Sequence, residues 1–194
     1  MLTLAEKQMS NKYKFRSPDE LNFVSFTVVY WIDLFIRNEY KDILLESWKY
    51  CMNKKGLQIF GWCIMTSHAH MIIGSENHPM DAIMRDMKKF TSGMLPKAIQ
   101  NNPAESRRDW LLNLMNNSGQ KNCHNKIFQL WQQDNHPMEL TTPKIMHQKL
   151  DYIHDNPVKA GFVEKPEDYL YSSARNYYGM RGLIEIQLLD PILE

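Results

Sequence analysis

The sequence predicts an α+β fold: an antiparallel sheet with its helices on one face and an extra helix near the C-terminus. Three observations predict it. Short apolar runs at residues 22–31, 57–65 and 68–73 have the length and the β-branched and aromatic content of strands. Residues 37–54 and 79–94 repeat their apolar side chains at helical spacing. A well-signposted helix begins at Thr142, far from this first group.

Each element has its own signature. In the first strand Val24, Phe26, Val28 and Tyr30 share one face, while Ser25 and Thr27 make the other half-polar. The helix over 37–54 carries Tyr40, Ile43, Leu44, Ser47, Trp48 and Cys51 at helical spacing and stops at Gly56. Residues 57–65 are apolar on both faces and predict a central strand. The Thr66-Ser67 link then leads directly into a strand at His68, so the two pair as a hairpin. Pro79 opens a second helix with Ile83, Met87, Phe90 and Met94 along one side.

Beyond Pro96 the pattern dissolves into Asn, Pro, Ser and Gly, which predicts a mobile insertion over about residues 97–126 with a short helix at 110–115. A strand returns at 127–131, with a partner through 138–140. Thr142 as N-cap and Pro143 at the first helical position start the third helix, which runs to about Asp155 because Pro157 follows. The apolar tail, Leu183 to Glu194, is expected to dock on the core. Strand, helix, strand, strand, helix, strand is the split βαβ order of ferredoxin-like folds. Residues 1–194 read as a single domain, with the histidines and the third helix on the sheet face opposite the other helices.

Composition narrows the function classes. Hydrophobic residues make up 43% and charged residues 23%, ordinary for a globular protein, and the formal net charge is +1. Whole-chain charge therefore does not announce a nucleic-acid binder, but residues 1–16 and 97–126 each carry a local balance of +3. The cysteines, Cys51, Cys63 and Cys123, are widely spaced and form no CxxC pair, which fits a reducing cytoplasm and not a disulfide framework. No signal peptide and no membrane span is expected.

The chemistry starts at Thr66-Ser67-His68-Ala69-His70-Met71. Alternation on a strand puts His68 and His70 on one face, about 6.5–7 Å apart along the backbone. Two imidazoles so placed can close on one divalent ion; the same spacing also suits two ordinary, partly buried histidines. On the third helix, steps of 100° put Asn156 about 40° from Tyr152, one turn away, beside a seam of Met146, Leu150 and Ile153. A phenol and an amide there can deliver a nucleophile and a third ligand to one place, or be a rim tyrosine and a helix-terminal asparagine. A residue before proline is pushed from the α region, so Asp155 stands as the fallback ligand. His147 and His154 point to the far side of the helix.

The His68-Ala69-His70 strand, a Lys89-Phe90-Thr91 helix, the Trp131-Gln132 strand and the string Tyr152-Ile153-His154-Asp155-Asn156-Pro157-Val158-Lys159-Ala160-Gly161 together resemble the REP-associated tyrosine transposases. These belong to the single-tyrosine HUH transposases of insertion sequences. The likeness runs from about Lys12 to Tyr178, although Thr66-Ser67 and Ala69 replace the family's usual Pro-Asn and bulkier middle residue. The resemblance implies a ferredoxin-like fold, His68, His70 and Asn156 as ligands of Mg²⁺ or Mn²⁺, and Tyr152 as nucleophile. It implies hairpin-forming single-stranded DNA as substrate and partner, cut through a 5′-phosphotyrosine in DNA transposition, in a cytoplasmic, nucleoid-associated protein, monomeric or homodimeric.

Lys88, Lys89, Trp131 and Gln132 become candidates for strand contacts through phosphate pairing and base stacking. Lys149, one turn before Tyr152, is a candidate for favouring the phenolate. Two other readings stay open. One is a non-mobile host factor that binds hairpin DNA. The other, a histidine-triad hydrolase, wants a third alternating histidine where Ile72 stands.

Overall fold

The computed structural model describes residue 15 and residues 20–76, 78–120, 128–133 and 137–191. The basic residues Lys7, Lys12, Lys14 and Arg16, together with residues 121–127 and 192–194, lie outside the described residues. Strands β1 (Asn22–Thr27), β2 (Leu57–Ile64), β3 (His68–Ser75) and β4 (Met138–Glu139) form one sheet in the order β2-β3-β1-β4. Every pairing is antiparallel. That order, with helix α1 (Asn38–Lys55) between β1 and β2 and α2 (Met80–Asn101) after β3, is the split βαβ arrangement the sequence predicts.

Apolar alternation builds both sheet faces. Val24, Phe26, Ala69, Met71 and Ile73 pack with Leu44 and Trp48 of α1 and Ile83 and Met87 of α2. On the other face Phe23, Cys63 and Ile72 pack with Leu150 and Ile153 of α4 (Pro143–Lys159). The β2–β3 register shifts between Ile59 and Gly61, so Phe60 and Gly61 both lie toward α4. A bulge of this kind resets the alternation by one residue, which returns Trp62 and Ile64 to the helix-covered core.

Several sequence expectations change. The first strand stops at Thr27, because Val29–Trp31 form a tight turn with Tyr30 and Trp31 at φ of 56° and 54°. Tyr30 is therefore exposed and not in line with Val24, Phe26 and Val28. A non-glycine residue in that region costs roughly 1–2 kcal/mol, so neighbouring contacts must impose the turn. The 127–131 strand is reduced to a bridge between Val28 and Trp131; Ile127 lies outside the described residues, and the edge strand is β4.

The expected insertion is revised for residues 97–120. Helix α2 continues through Pro96 to Asn101, and α3 (Arg108–Gln120) buries Leu111 and Met115. Leu95 and Ile99 flank Pro96 and are fully buried, and each is worth about 1.5–3 kcal/mol. Together they offset the proline's cost of about 3 kcal/mol. The buried stripe on α2 includes Met84, Thr91, Leu95 and Ile99, so Phe90 and Met94 face outward. Helix α4 likewise continues through a buried Pro157 to Lys159. Thr142 caps it as expected, accepting from the Ile145 N–H at 3.3 Å.

The link between α2 and α3 holds a charge cluster. Arg37 Nε and Arg107 Nε lie 2.9 and 3.1 Å from the Glu105 carboxylate, whose side chain is 1% exposed. Burial alone would raise this carboxyl, but hydrogen bonds from Arg107 and Arg37 outweigh it and hold it at about 2. Arg107, one of the bases in the +3 balance of residues 97–126, is thus committed to the fold. The C-terminal segment shields the edge of β2: Ser173 N–H donates to Trp62 O and Gln187 N–H to Ile59 O, each at 2.9 Å. Ile184 docks in the core beneath it.

Gly61 marks where α4 sits closest. A Cβ there would meet Leu150 Cδ1 at 2.8 Å, with Ile72 and Ile153 within 4 Å. We expect Gly61→Val to destabilise the chain by about 1–3 kcal/mol and to lower its thermal midpoint by several degrees. A midpoint equal to that of the unaltered chain would show that α4 does not press on β2 at this point.

Candidate functional site

The β1–β3 register builds the centre of the site. Ser25 pairs with His70 and Thr27 with His68, so both histidines stand on the face α4 covers. Directly opposed residues have neighbouring side chains, and Ser25 Oγ is 2.7 Å from His70 Nδ1. Ser67 Oγ lies 3.2 Å from His68 Nδ1. With Nδ1–H donated to those hydroxyls, both Nε2 atoms carry free lone pairs, the tautomer a metal ligand needs. The two imidazole centroids are 4.8 Å apart.

Helix α4 brings the phenol. Leu150 and Ile153 anchor the helix on the sheet, and this turns Tyr152, 42% exposed, toward the histidines. Its hydroxyl is 3.5 Å from His70 Nε2, at the outer limit of a hydrogen bond. Phe23 stacks on His70 at 5.3 Å and meets the edge of Tyr152 at 6.0 Å. Lys149 Nζ lies 4.8 Å from the Phe23 ring and 5.5 Å from the Tyr152 ring. On the other flank Trp31 meets His68 at 5.5 Å. The result is a continuous arc of rings from Tyr152 through His70 and His68 to Trp31.

Electrostatics keep the imidazoles neutral. Burial pushes His70 down to about 3, helped by His68 and by the positive charge of Lys149. Burial also lowers His68, partly countered by Asp33. Neutral imidazoles are what a divalent cation requires. Among the described residues no group of three or more His, Cys, Asp or Glu converges to hold an ion. A cation here would therefore take two imidazole nitrogens and a ligand of another type.

The other sequence candidates divide clearly. Asn156 is half-buried on α4, one turn past Tyr152, and remains helical although Pro157 follows. Asp155, the fallback ligand, pairs with Lys159 at 3.3 Å. His147 contacts Asp190 O, and buried His154 contacts Ser173 Oγ at 2.9 Å, so neither joins the site.

Trp131 does not fit its expected part in base stacking. It is 6% exposed, donates Nε1–H to Thr91 Oγ1 and packs on Phe26 and Phe35. Lys88 donates to the Gln132 carbonyl oxygen at 3.2 Å, whereas Lys89 is exposed. These residues, with Arg85, line a groove of about 750 Å³ between α2 and residues 128–133. Sequence reasoning missed Ser25, Phe23 and Trp31 as neighbours of the site. The one local signal was a half-polar face on β1.

Comparison with known proteins is consistent with this geometry. Residues 26–111 match the family model described as Transposase IS200 like. That span contains both histidines and ends before Tyr152. Over 93% of this chain and 92% of the other, the fold is similar to a solved REP-associated tyrosine transposase bound to a REP hairpin, at 17% identity and a TM-score of 0.62. A Deinococcus radiodurans structure aligns over 74% of this chain and 94% of its own, at 15% identity and a TM-score of 0.42, too slight a likeness to argue from. No curated protein matches the chain. Among the described residues no helix is long and apolar enough to cross a membrane.

The buried neutral histidines set an acid limit. Unfolded, they bind a proton near 6.5, while in the fold His70 resists to about 3 and His154, also desolvated, to about 4. The unfolded chain therefore gains protons first, and stability is lost as pH falls below 6.5, by up to about 1.4 kcal/mol per pH unit per histidine. Urea midpoints measured in EDTA should fall from pH 7 to 4.5, less steeply in His154→Gln; a flat profile would contradict the assignment. Residues 26–111 thus match the pattern described for the IS200-like transposases, and the chain as a whole is similar in fold to a REP-associated tyrosine transposase.

Proposed function

We propose that the chain is a metal-dependent single-strand DNA endonuclease and strand transferase that acts on hairpin DNA with Tyr152 as nucleophile. The observation that carries this reading is the approach of Tyr152 Oη to His70 Nε2 at 3.5 Å, between residues 82 positions apart. A rim tyrosine has no need of a buried, neutral imidazole pair facing it. The family pattern over residues 26–111 and the hairpin bound by the structurally similar transposase support the substrate class.

His68 and His70, through Nε2, and Asn156, through its amide oxygen, are the residues that would hold Mg²⁺ or Mn²⁺. Two imidazoles, an amide and open positions suit such an ion, and when bound it acts as a Lewis acid on the scissile phosphate's oxygens. The chain's own residues do the rest. Tyr152 Oη attacks phosphorus in line; the bond to the 3′ oxygen breaks, and the upstream strand leaves with a free 3′-hydroxyl. The downstream strand stays attached through a 5′-phosphotyrosine, and the phenolic proton passes to solvent. The ester conserves the bond energy, so a second 3′-hydroxyl can reverse the step without ATP. Ser25 and Ser67 hold the imidazoles in register, and Leu150 and Ile153 hold the helix that aims the phenol. Lys149 stabilises negative charge developing on the phenol.

Incubation with Mn²⁺ and 3′-labelled hairpin single strands should yield a denaturant-resistant adduct on the downstream fragment. Tyr152→Phe should yield none. Binding without an adduct would favour a hairpin-binding host factor, and the absence of both would remove the DNA reading.

Lys149→Met should cut more slowly than the unaltered chain near pH 7 and nearly as fast at strongly alkaline pH. An equal loss at both pH values would exclude an electrostatic role.

A further inference from the structure

We infer that Tyr30 and Trp31 form a base-stacking platform that seats a nucleobase of the single strand beside the histidine pair. This rests on the DNA-processing reading above and adds to it where the strand lies. The turn places both residues at positive φ, 56° and 54°, and the Ile32 N–H closes it on Val29 O at 3.4 Å. In turns with two such positions Asn-Gly is the favoured pair, because side chains beyond Cβ crowd the backbone. The chain instead puts its bulkiest aromatic types there and leaves them 51% and 60% exposed. Neither the core nor the turn itself explains that choice.

The platform is held in a fixed relation to the site. Val28 N–H donates to Ser67 O at 2.9 Å and Phe35 N–H to Thr66 O at 2.7 Å, tying both sides of the turn to the link that leads into His68. Val29 N–H donates to Leu130 O at 2.9 Å, and Val28, Val29, Leu34 and Phe35 are buried around it. Trp31 then meets His68 at 5.5 Å, across the histidine pair from Tyr152. Strain imposed by surrounding contacts and an aromatic ring facing solvent are what a preorganised stacking surface combines. Every base offers a π-face, so the platform suits a single strand of any sequence near the phosphate being cut.

The test measures binding of the full chain, in EDTA so that no cleavage intervenes, to a short oligo-dT and to an abasic oligonucleotide of equal length. The unaltered chain should prefer oligo-dT. Trp31→Ala should lose about tenfold in oligo-dT affinity with abasic binding unchanged, and Trp31→Phe should restore most of it. Tyr30→Asn/Trp31→Gly should show the same loss with an equal or higher thermal midpoint, because the turn is relieved. Unchanged oligo-dT affinity with a lowered midpoint would make the aromatics structural and overturn the proposal. So would a dimer that Trp31→Ala dissolves without affecting oligo-dT. Equal binding of the two oligonucleotides by the unaltered chain would overturn the platform alone, whereas binding of neither would also remove the DNA reading.

Discussion

The antiparallel pairing of β3 with β1 is the constraint on which the site depends. Opposing Ser25 to His70 and Thr27 to His68 sends both imidazoles to the face covered by α4. A slip of one residue would exchange them with Ala69 and Met71, which are fully buried against α1 and α2. The apolar set of β3 thus fixes the direction of the histidines, because the core will not accept a polar residue in place of Met71. The bulge at Gly61 serves the same arrangement from the other side, bringing α4 close enough for Tyr152 to reach His70.

Several features give up local stability, and all but Pro96 lie in or beside the site. His70 is kept neutral in a buried setting where charging it is unfavourable. Tyr30 and Trp31 occupy a backbone region that suits neither. Two helices carry internal prolines, Pro96 and Pro157, and continue because buried side chains flank the break. The Glu105 cluster and the C-terminal cover of β2 hold the scaffold against these costs. Local rules and global fold disagree most where chemistry is concentrated, as expected for functional sites.

The family pattern ends at residue 111 and so contains the histidines without Tyr152. What unites the two halves of the site is packing: Leu150 and Ile153 on Phe23, Cys63 and Ile72. The tyrosine's place is a consequence of hydrophobic burial some distance from the phenol. The similarity of fold extends over 93% of the chain, beyond residue 111 and across the helix that carries Tyr152.

The sequence by itself determined the elements and their faces. Alternation and helical spacing are local properties, so His68 and His70 on one face, Gly56 as a stop, Thr142 as a cap and the antiparallel ferredoxin-like order could all be read directly. The end of β1 at Thr27, the continuation of α2 and α4 through proline, and the extension of the short helix expected at 110–115 to residues 108–120 could not. In each, burial against distant residues overrides the local preference. Ser25, Phe23 and Trp31 became neighbours of the histidines only through strand register and loop anchoring, which join residues about 40 positions apart. Tyr152 could be named from its motif, but its position against His70 was decided by tertiary structure alone, because the packing of α4 on the sheet is a non-local fact.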